Sequence, residues 1–508
     1  MSIKKLSRKI ASAVLSAAIA AGIMMSAPAA SAAQVTPSGY ITVHQEFVAA
    51  NSEAIEALAQ GMRNRQTEIN INRYHIPASD ARLLFEAVTN IYPELFYVEQ
   101  GFSYYTTTYN GVKCIYSIVL DYTYTAAEVS TMMEEFDEKS DYYLSKIEPG
   151  MSDFEKALIL HDELILNSSY LLEGSTYSLM VDGTGKCEDY SKAYAFLLAQ
   201  AGVKCELILS PKEDENDTDG MSHQWVKVCI DGTYYHVDPT WDDPTVEDAY
   251  YYQYNSGETR PNTHSGLVYH TFFLVSDSLI GSTALGTPHT GYTSFYPSPT
   301  TYDNAMFRNV KSKFCYVDGS LYAFKYNDND YSSSLVRYNY ANDAAETVKS
   351  FNYYWSAPGG GFWTGCFSGL EYLDGKFYFN SPVTVNTYDM ASDTVSIFAE
   401  NLSDKQIYGI NIINRDLYAY TASTPNELLD SVYAGHIDEP LPPLEAGDAD
   451  GNGRVDIRDT TMIQRYTAFI VQFDSRQLAA ADVNGDGTVN VADATAIQKQ
   501  IAKVNTAI

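Results

Sequence analysis

Residues 185–209, GKCEDYSKAYAFLLAQAGVKCELIL, and 222–243, SHQWVKVCIDGTYYHVDPTWDD, carry a thiol, an imidazole and a carboxylate in that order. After Cys187 the residues Tyr190, Ala193, Tyr194, Leu197, Leu198 and Ala201 recur at helical spacing, and Gly202 suits a left-handed C-terminal stop. Cys187 therefore opens a helix, where unpaired backbone N–H groups and the positive dipole end favour a thiolate. Glu188 and Asp189 oppose that charge. A cationic partner is required.

His223 to Thr240 supplies one. Asp231-Gly232 is a strong hairpin signal, and a two-residue turn there pairs Ile230 with Thr233. Running the register back sets Trp225 opposite Asp238 and His223 opposite Thr240. One face then carries Val226, Val228, Ile230, Tyr235 and Val237, an apolar set fit for a core; the other carries His223, Trp225, Tyr234, His236 and Asp238. His223 and Asp238 become diagonal neighbours across the hairpin. The carboxylate can orient the imidazole, and the imidazole can take the thiol proton.

A Cys before an aromatic helix, then H-x-W, then D-G-x-Y-Y-H-V-D-x-T-W-D-D-P resembles the transglutaminase-like superfamily of papain-type cysteine enzymes, in its secreted bacterial branch. The resemblance runs from the helix near Ser152 to the segment near His270. It implies Cys187 as nucleophile, His223 as base and Asp238 as orienting acid. Where relatives read C-x-G-Y-A, this chain reads Cys187-Glu188-Asp189-Tyr190-Ser191, so a charged residue stands in the glycine position.

The 508 residues are too many for one core and predict about three or four domains. With 33 basic against 64 acidic residues the net charge is −31, which argues against nucleic acid or an anionic membrane as partner. Residues 1–32 read as a signal peptide: Lys4, Lys5, Arg8 and Lys9, then the apolar run Ile10 to Met25, then the small-residue cleavage site Ala30-Ser31-Ala32. Secretion follows, with Ala33 as the new N-terminus. Cys114, Cys187, Cys205, Cys229, Cys315 and Cys366 are scattered without a CxxC pair, so one reactive thiol and five buried ones are expected.

The fold class expected is α+β and multidomain. Residues 33–147 form an N-terminal α+β domain, with helices over His44 to Met62, Ser79 to Ile91 and Ala126 to Lys146, and a hairpin turning at Asn110-Gly111. His44 and His75 are solvated or structural there. Residues 148–283 form the papain/transglutaminase-like catalytic core, opened by a capping box at Ser152-Asp153-Phe154-Glu155. His161 is a core histidine within it, and Tyr177 is a candidate for lining the cleft. The Cys187 backbone N–H is expected in the oxyanion hole. The acidic segment 210–222 reads either as a loop over or beside the cleft or as a purely solvated excursion, and YHTFFLVSD, 269–277, as a closing strand. Residues 284–437 repeat the pattern YVDGSLYAF, YLDGKFYFN and IINRDLYAY, a β-rich domain of partial propeller or sandwich type. Residues 438–446 are a proline linker.

Two acidic loops follow, DADGNGRVDIRD from Asp448 and DVNGDGTVNVAD from Asp482. Oxygen side chains fall at loop positions one, three, five, nine and twelve, glycine at six, and a main-chain carbonyl at seven, the ligand order of a calcium loop. The first copy supplies Asp448, Asp450, Asn452, Asp456 and Asp459 with the Arg454 carbonyl; the second supplies Asp482, Asn484, Asp486, Asn490 and Asp493 with the Thr488 carbonyl. Each loop is followed by a helix, Thr460 to Phe469 and Ala494 to Val504. This resembles the dockerin module of cellulosomes over residues 447–508. The resemblance implies a small all-α domain with two Ca²⁺ ions, docking to a cohesin on a scaffold protein, and contact positions at Ile457, Arg458, Val491 and Ala492.

Together these imply a secreted cysteine enzyme attached to an extracellular polysaccharide-degrading assembly, with no cofactor in catalysis and a protein or peptide substrate. Hydrolysis by a peptidase or amidase and amine transfer by a crosslinking transglutaminase share the same triad; water as the default acceptor favours hydrolysis. The other class left open is a non-catalytic binding module.

Overall fold

The computed structural model describes residues 40–210, 223–245, 265–286, 288–327, 330–425, 427, 429–439, 442 and 444–502. The signal peptide, the acidic segment after Ser210 and the tyrosine-rich stretch 250–254 lie outside these. The described residues form two compact units, divided after Gly435.

The first unit begins with the two-residue strand β1 (Ile41–Thr42), helix α1 (Gln45–Arg63), β2 (Glu68–Asn70) and α2 (Ala81–Ile91). The hairpin β3 (Val98–Tyr109) and β4 (Val112–Tyr122) turns at Asn110-Gly111, both in the left-handed region at φ 49° and 83°, as a mirror-image two-residue turn demands. Then come α3 (Ala126–Leu144) and α4 (Asp153–Leu166). The Ser152–Glu155 capping box opens α4, the Ser152 hydroxyl taking the Glu155 N–H and the Glu155 carboxylate taking the Ser152 N–H. A short parallel pair, β5 (Ser169–Tyr170) and β6 (Thr184–Gly185), leads into α5 (Cys187–Gln200).

Strands β7 (Cys205–Ser210), β8 (His223–Ile230) and β9 (Thr233–Val237) follow, and the sheet order is β1-β7-β8-β9. Asp231 and Gly232 turn at φ 50° and 82°, and Ile230 pairs with Thr233 as expected from the sequence. Val226, Val228, Ile230, Tyr235 and Val237 all join the core of this unit. The segment 269–277 departs from expectation, since it makes a turn and a single bridge rather than a strand. Leu274 enters the left-handed region at φ 53°, which breaks the extended run, and Val275 and His236 then exchange backbone hydrogen bonds of 2.8 and 2.9 Å. The short helix α6 (Asp277–Ile280) comes next.

Three antiparallel meanders complete the unit. They are β10 (Cys315–Val317), β11 (Ser320–Asn327), β12 (Ser332–Asn339) and β13 (Ala344–Phe351); β14 (Leu370–Leu373), β15 (Lys376–Asn380), β16 (Thr384–Asp389) and β17 (Thr394–Glu400); and β18 (Gln406–Ile413), β19 (Asp416–Ala422) and β20 (Asp430–His436). Each YxDG-type repeat forms the turn between the first two strands of its sheet, with left-handed Asp318, Asp374 and Asn414. The first strands of the three sheets are neighbours, as in successive propeller blades.

These sheets share interior with the helices: Phe307, Val310, Phe314, Leu321 and Tyr338 belong to the same core as α4 and α5. A buried charge cluster joins them, Lys313 Nζ meeting Glu163 of α4 and lying 2.6 Å from Glu371 of β14. Asn411 of β18 donates to the Leu166 carbonyl at the end of α4.

The second unit holds α7 (Ile457–Thr467), α8 (Ser475–Ala481) and α9 (Val491–Ile501). Both helices after the acidic loops start three residues earlier than expected. Loop positions nine and twelve double as capping boxes, Asp456 with Asp459 and Asn490 with Asp493. The intervening α8 was not foreseen. Among the described residues no helix is long and apolar enough to cross a membrane.

Lys313→Met would leave buried Glu371 without its cation and Glu163 with only Lys146 at 3.9 Å, so a loss of about 3–5 kcal/mol at pH 7 is expected in urea unfolding. The loss should shrink as pH falls and those carboxyls take protons. A pH-independent deficit would instead point to packing.

Candidate active site

Cys187 is half-buried at the first position of α5. Of the two acidic residues behind it, Asp189 is buried and turns back to accept the Lys186 N–H at 3.1 Å. A Cβ on Gly174 or Gly185 would come within 2.9 or 2.8 Å of the Asp189 side chain. Gly185 of β6 and Gly174 of the β5–β6 connection thus leave the room that the Asp189 side chain occupies. Burial pushes the Asp189 pKa up to about 6. Glu188 lies between Lys186 and Lys192, at 3.2 and 2.6 Å. Burial works against its ionisation, but Lys192 and Lys186 outweigh that and hold its pKa down at about 2. The charge next to the thiol is therefore compensated.

His223 begins β8. Its Nε2 lies 2.6 Å from Asp238 Oδ2 and its side chain interacts with the Cys187 thiol. With Nε2 committed to the carboxylate, Nδ1 is the nitrogen left for sulfur. Burial opposes the charged imidazole, but the Asp238 charge and hydrogen bond, joined by Cys187, outweigh it and push the pKa up to about 10. Trp225, two residues on and on the same face, stacks on the ring with centroids 5.6 Å apart.

Asp238 is fully buried, one residue past the end of β9. Pro239 has no N–H to continue the ladder, and the Asp238 N–H turns instead to the Phe272 carbonyl at 3.2 Å. Its Oδ1 accepts the N–H groups of Thr240 and Trp241 at 3.0 and 3.3 Å, an Asx turn. Its Oδ2 accepts from His223 and also from His289 Nε2 at 2.8 Å. These donors, His223 foremost, hold the carboxyl far below its ordinary range against the opposing effect of burial.

The expected trio is thus brought together, and His289 is the member that sequence reasoning missed. It lies in TPHTGYTSFYPSP, an irregular stretch with no periodicity and nothing local to mark it. His236 is excluded by its partners: Trp225 Nε1 donates to its Nδ1 at 2.8 Å, and its Nε2 is 2.9 Å from Asp277. Burial lowers its pKa to about 4. His161 is buried with Nδ1 2.9 Å from Asp162 and Nε2 3.2 Å from Asp242, a structural histidine as expected. Tyr177 donates to Glu135 and packs on Phe96. Cys205 and Cys315 are buried, and burial pushes their thiols far up.

In the second unit the two acidic loops fold alike. Asp448 accepts the N–H groups of Asn452 and Gly453 through its two oxygens at 3.0 and 2.9 Å, and Asp482 does the same for Asp486 and Gly487 at 3.1 and 2.9 Å. Asp459 accepts from Asp450 and Asp456, and Asp493 from Asn484 and Asn490. Carboxylate oxygens of Asp448, Asp450 and Asp459 converge within 4.8 Å of one another. Such an all-oxygen donor set fits a hard divalent cation. Ile457 and Val491, at matching positions of α7 and α9, are exposed at 58% and 63%.

Residues 142–239 match the family model of the transglutaminase-like superfamily, and residues 446–502 that of the dockerin type I domain. The chain carries a transglutaminase-like core and a type I dockerin domain. Solved structures with partial similarity include a candidate cysteine protease from Cytophaga hutchinsonii, 11% identical over 28% of this chain and 63% of that one, TM-score 0.18. A candidate protease from Parabacteroides distasonis is 13% identical over 28% and 37%, TM-score 0.18. A TGase is 11% identical over 37% and 51%, TM-score 0.19. This chain thus spans less than two thirds of each. No curated protein matches it.

Replacing Lys186 and Lys192 together by Met would leave Glu188 uncompensated beside the thiol. The pH midpoint of Cys187 alkylation by iodoacetamide should then rise, by about one unit. An unmoved midpoint would show that the lysines act remotely from sulfur.

Proposed function

We propose that this protein is a secreted cysteine hydrolase of amide bonds, held on an extracellular scaffold by its dockerin. The observation that supports this most is the imidazole of His223, bonded to a fully buried carboxylate and within electrostatic range of the Cys187 thiol. His223 Nδ1 takes the thiol proton, and the resulting thiolate attacks an amide carbonyl carbon. The carbonyl oxygen gains the negative charge, and the Cys187 N–H at the helix start is directed to it. As the tetrahedral adduct collapses, the C–N bond breaks and His223 returns the proton to the leaving amine, leaving a thioester. Water then adds to the thioester carbon with its proton passing to His223, and C–S cleavage regenerates Cys187. Asp238 orients the ring and balances its charge throughout.

Water is the acceptor we favour, because excluding it takes a closed site. An amine acceptor would make the same thioester a crosslinking intermediate. Incubation with a glutamine-containing peptide and a primary amine separates the two by mass: deamidation for water, incorporation of the amine for transfer.

The core test is alkylation with peptide mapping on the mature protein. Cys187 should label rapidly with iodoacetamide at neutral pH, while buried Cys205 and Cys315 should not, and His223→Ala should slow Cys187 by at least tenfold. Cys187→Ala should abolish amide cleavage. Labelling of Cys187 no faster than the buried thiols would make the core a non-catalytic module.

In the dockerin, Asp448, Asp450, Asn452, Asp456 and Asp459 with the Arg454 carbonyl would hold one Ca²⁺, and Asp482, Asn484, Asp486, Asn490 and Asp493 with the Thr488 carbonyl the other. The ions would supply the positive charge that these converging carboxylates lack. The exposed pairs Ile457-Arg458 and Val491-Ala492 are the proposed cohesin contacts. Chelation of the intact protein should open residues 446–502 to limited proteolysis and abolish capture by a cohesin, with excess Ca²⁺ restoring both. Unchanged proteolysis and capture after chelation would overturn this assignment.

A further inference from the structure

We propose that His289 is a positioning residue of the same site, one that shares the Asp238 oxygen used by His223 and so limits how strongly that carboxylate holds the His223 proton. The inference rests on the triad reading above.

The geometry is specific. Asp238 has two oxygens with separate tasks: Oδ1 is fixed by the N–H groups of Thr240 and Trp241, and Oδ2 receives Nε2 of both His223 and His289, at 2.6 and 2.8 Å. The backbone alone therefore sets the carboxylate's orientation. A second imidazole is not needed to hold it in place, and its effect falls on the charge at Oδ2. A carboxylate oxygen that accepts a further hydrogen bond presents less negative potential to its first partner.

His289 is itself held firmly. Its N–H donates to the Ile280 carbonyl at 3.0 Å, and its ring meets Trp225 edge to face at 4.9 Å between centroids, with Phe272 at 5.4 Å and His223 at 5.1 Å. The next residue, Thr290, accepts from the Ser210 hydroxyl at the end of β7. The histidine is thus carried into the site by a segment anchored on both α6 and the catalytic sheet.

The titratable groups around it are few. Asp238 and His223 touch it directly, and His236 on β9, behind Trp225, lies within electrostatic range. Asp277 of α6 and Lys227 of β8 are bonded to each other beyond His236, with Asp277 also bonded to His236. Cys187 faces His223.

The consequence for chemistry is proton affinity. A base locked to one carboxylate stays protonated and returns its proton to a leaving amine slowly; a weaker hold brings it nearer to the working range.

Two alkylating agents read this. Iodoacetate is an anion and is drawn to the thiolate by a neighbouring imidazolium, whereas iodoacetamide is neutral. The ratio of their rates at Cys187 therefore falls as His223 loses its proton. In His289→Phe, which fills the aromatic box without an N–H, the fall should move to higher pH by about one unit. In His289→Gln, whose amide N–H can reach Oδ2, it should stay near that of the unaltered protein. A purely structural role would not separate these two variants. If the Phe variant lacks a cooperative melting transition, His289→Asn, too short to reach Oδ2, is read in its place and should show the same upward shift. An unmoved or downward profile, or equal shifts in Phe and Gln, overturns the proposal while leaving the triad intact. Cys187 labelling that is indifferent to His223→Ala defeats the triad reading itself, and this proposal with it.

Discussion

A fully buried carboxylate is tolerated only when its lone pairs are met, and Asp238 is met on both oxygens. Much of the first unit's topology serves that condition. The β8-β9 hairpin brings His223 within reach. Pro239 ends the ladder so that the chain folds back and offers the N–H groups of Thr240 and Trp241. Beyond α6, the segment 288–298 then returns across the sheet and supplies His289. Each donor comes from a different local structure, and they coincide only at this oxygen pair.

The helix start poses the complementary problem. A thiol at the N-terminal end of α5 gains from the helix dipole, yet two carboxylates follow it at once. They are disposed of in different ways. Glu188 is paired with two ammonium groups, and Asp189 is buried against backbone, where Gly174 and Gly185 leave room. The acidic side chain in the first turn is thereby accommodated by glycines outside the helix.

The β-rich segment shares a core with the helices. Lys313 lies between Glu163 and Glu371, and Asp162, on the helix that packs behind α5, accepts the Phe314 N–H at 2.7 Å as well as meeting His270. Displacing these groups from one another would leave a buried charge unpaired, a strongly destabilising change. The three meanders therefore form one body with the helices that hold the thiol.

Sequence by itself determined what depends on neighbours in the chain. The two hairpin turns follow from Asn-Gly and Asp-Gly, the capping box from Ser152 and Glu155, and the register that sets His223 against Asp238 from a period of two. Both acidic loops were legible because their oxygen-bearing side chains lie within twelve residues, although their helices begin three residues sooner, position nine serving as cap. Tertiary structure decided what depends on distant segments. Residues 269–277 carry an apolar run that reads as a strand, but left-handed Leu274 breaks it so that Phe272 and His270 reach separate partners. His289 lies 51 residues beyond Asp238 in an aperiodic stretch, and no local pattern can encode a hydrogen bond that exists only after the chain has folded back over its own sheet.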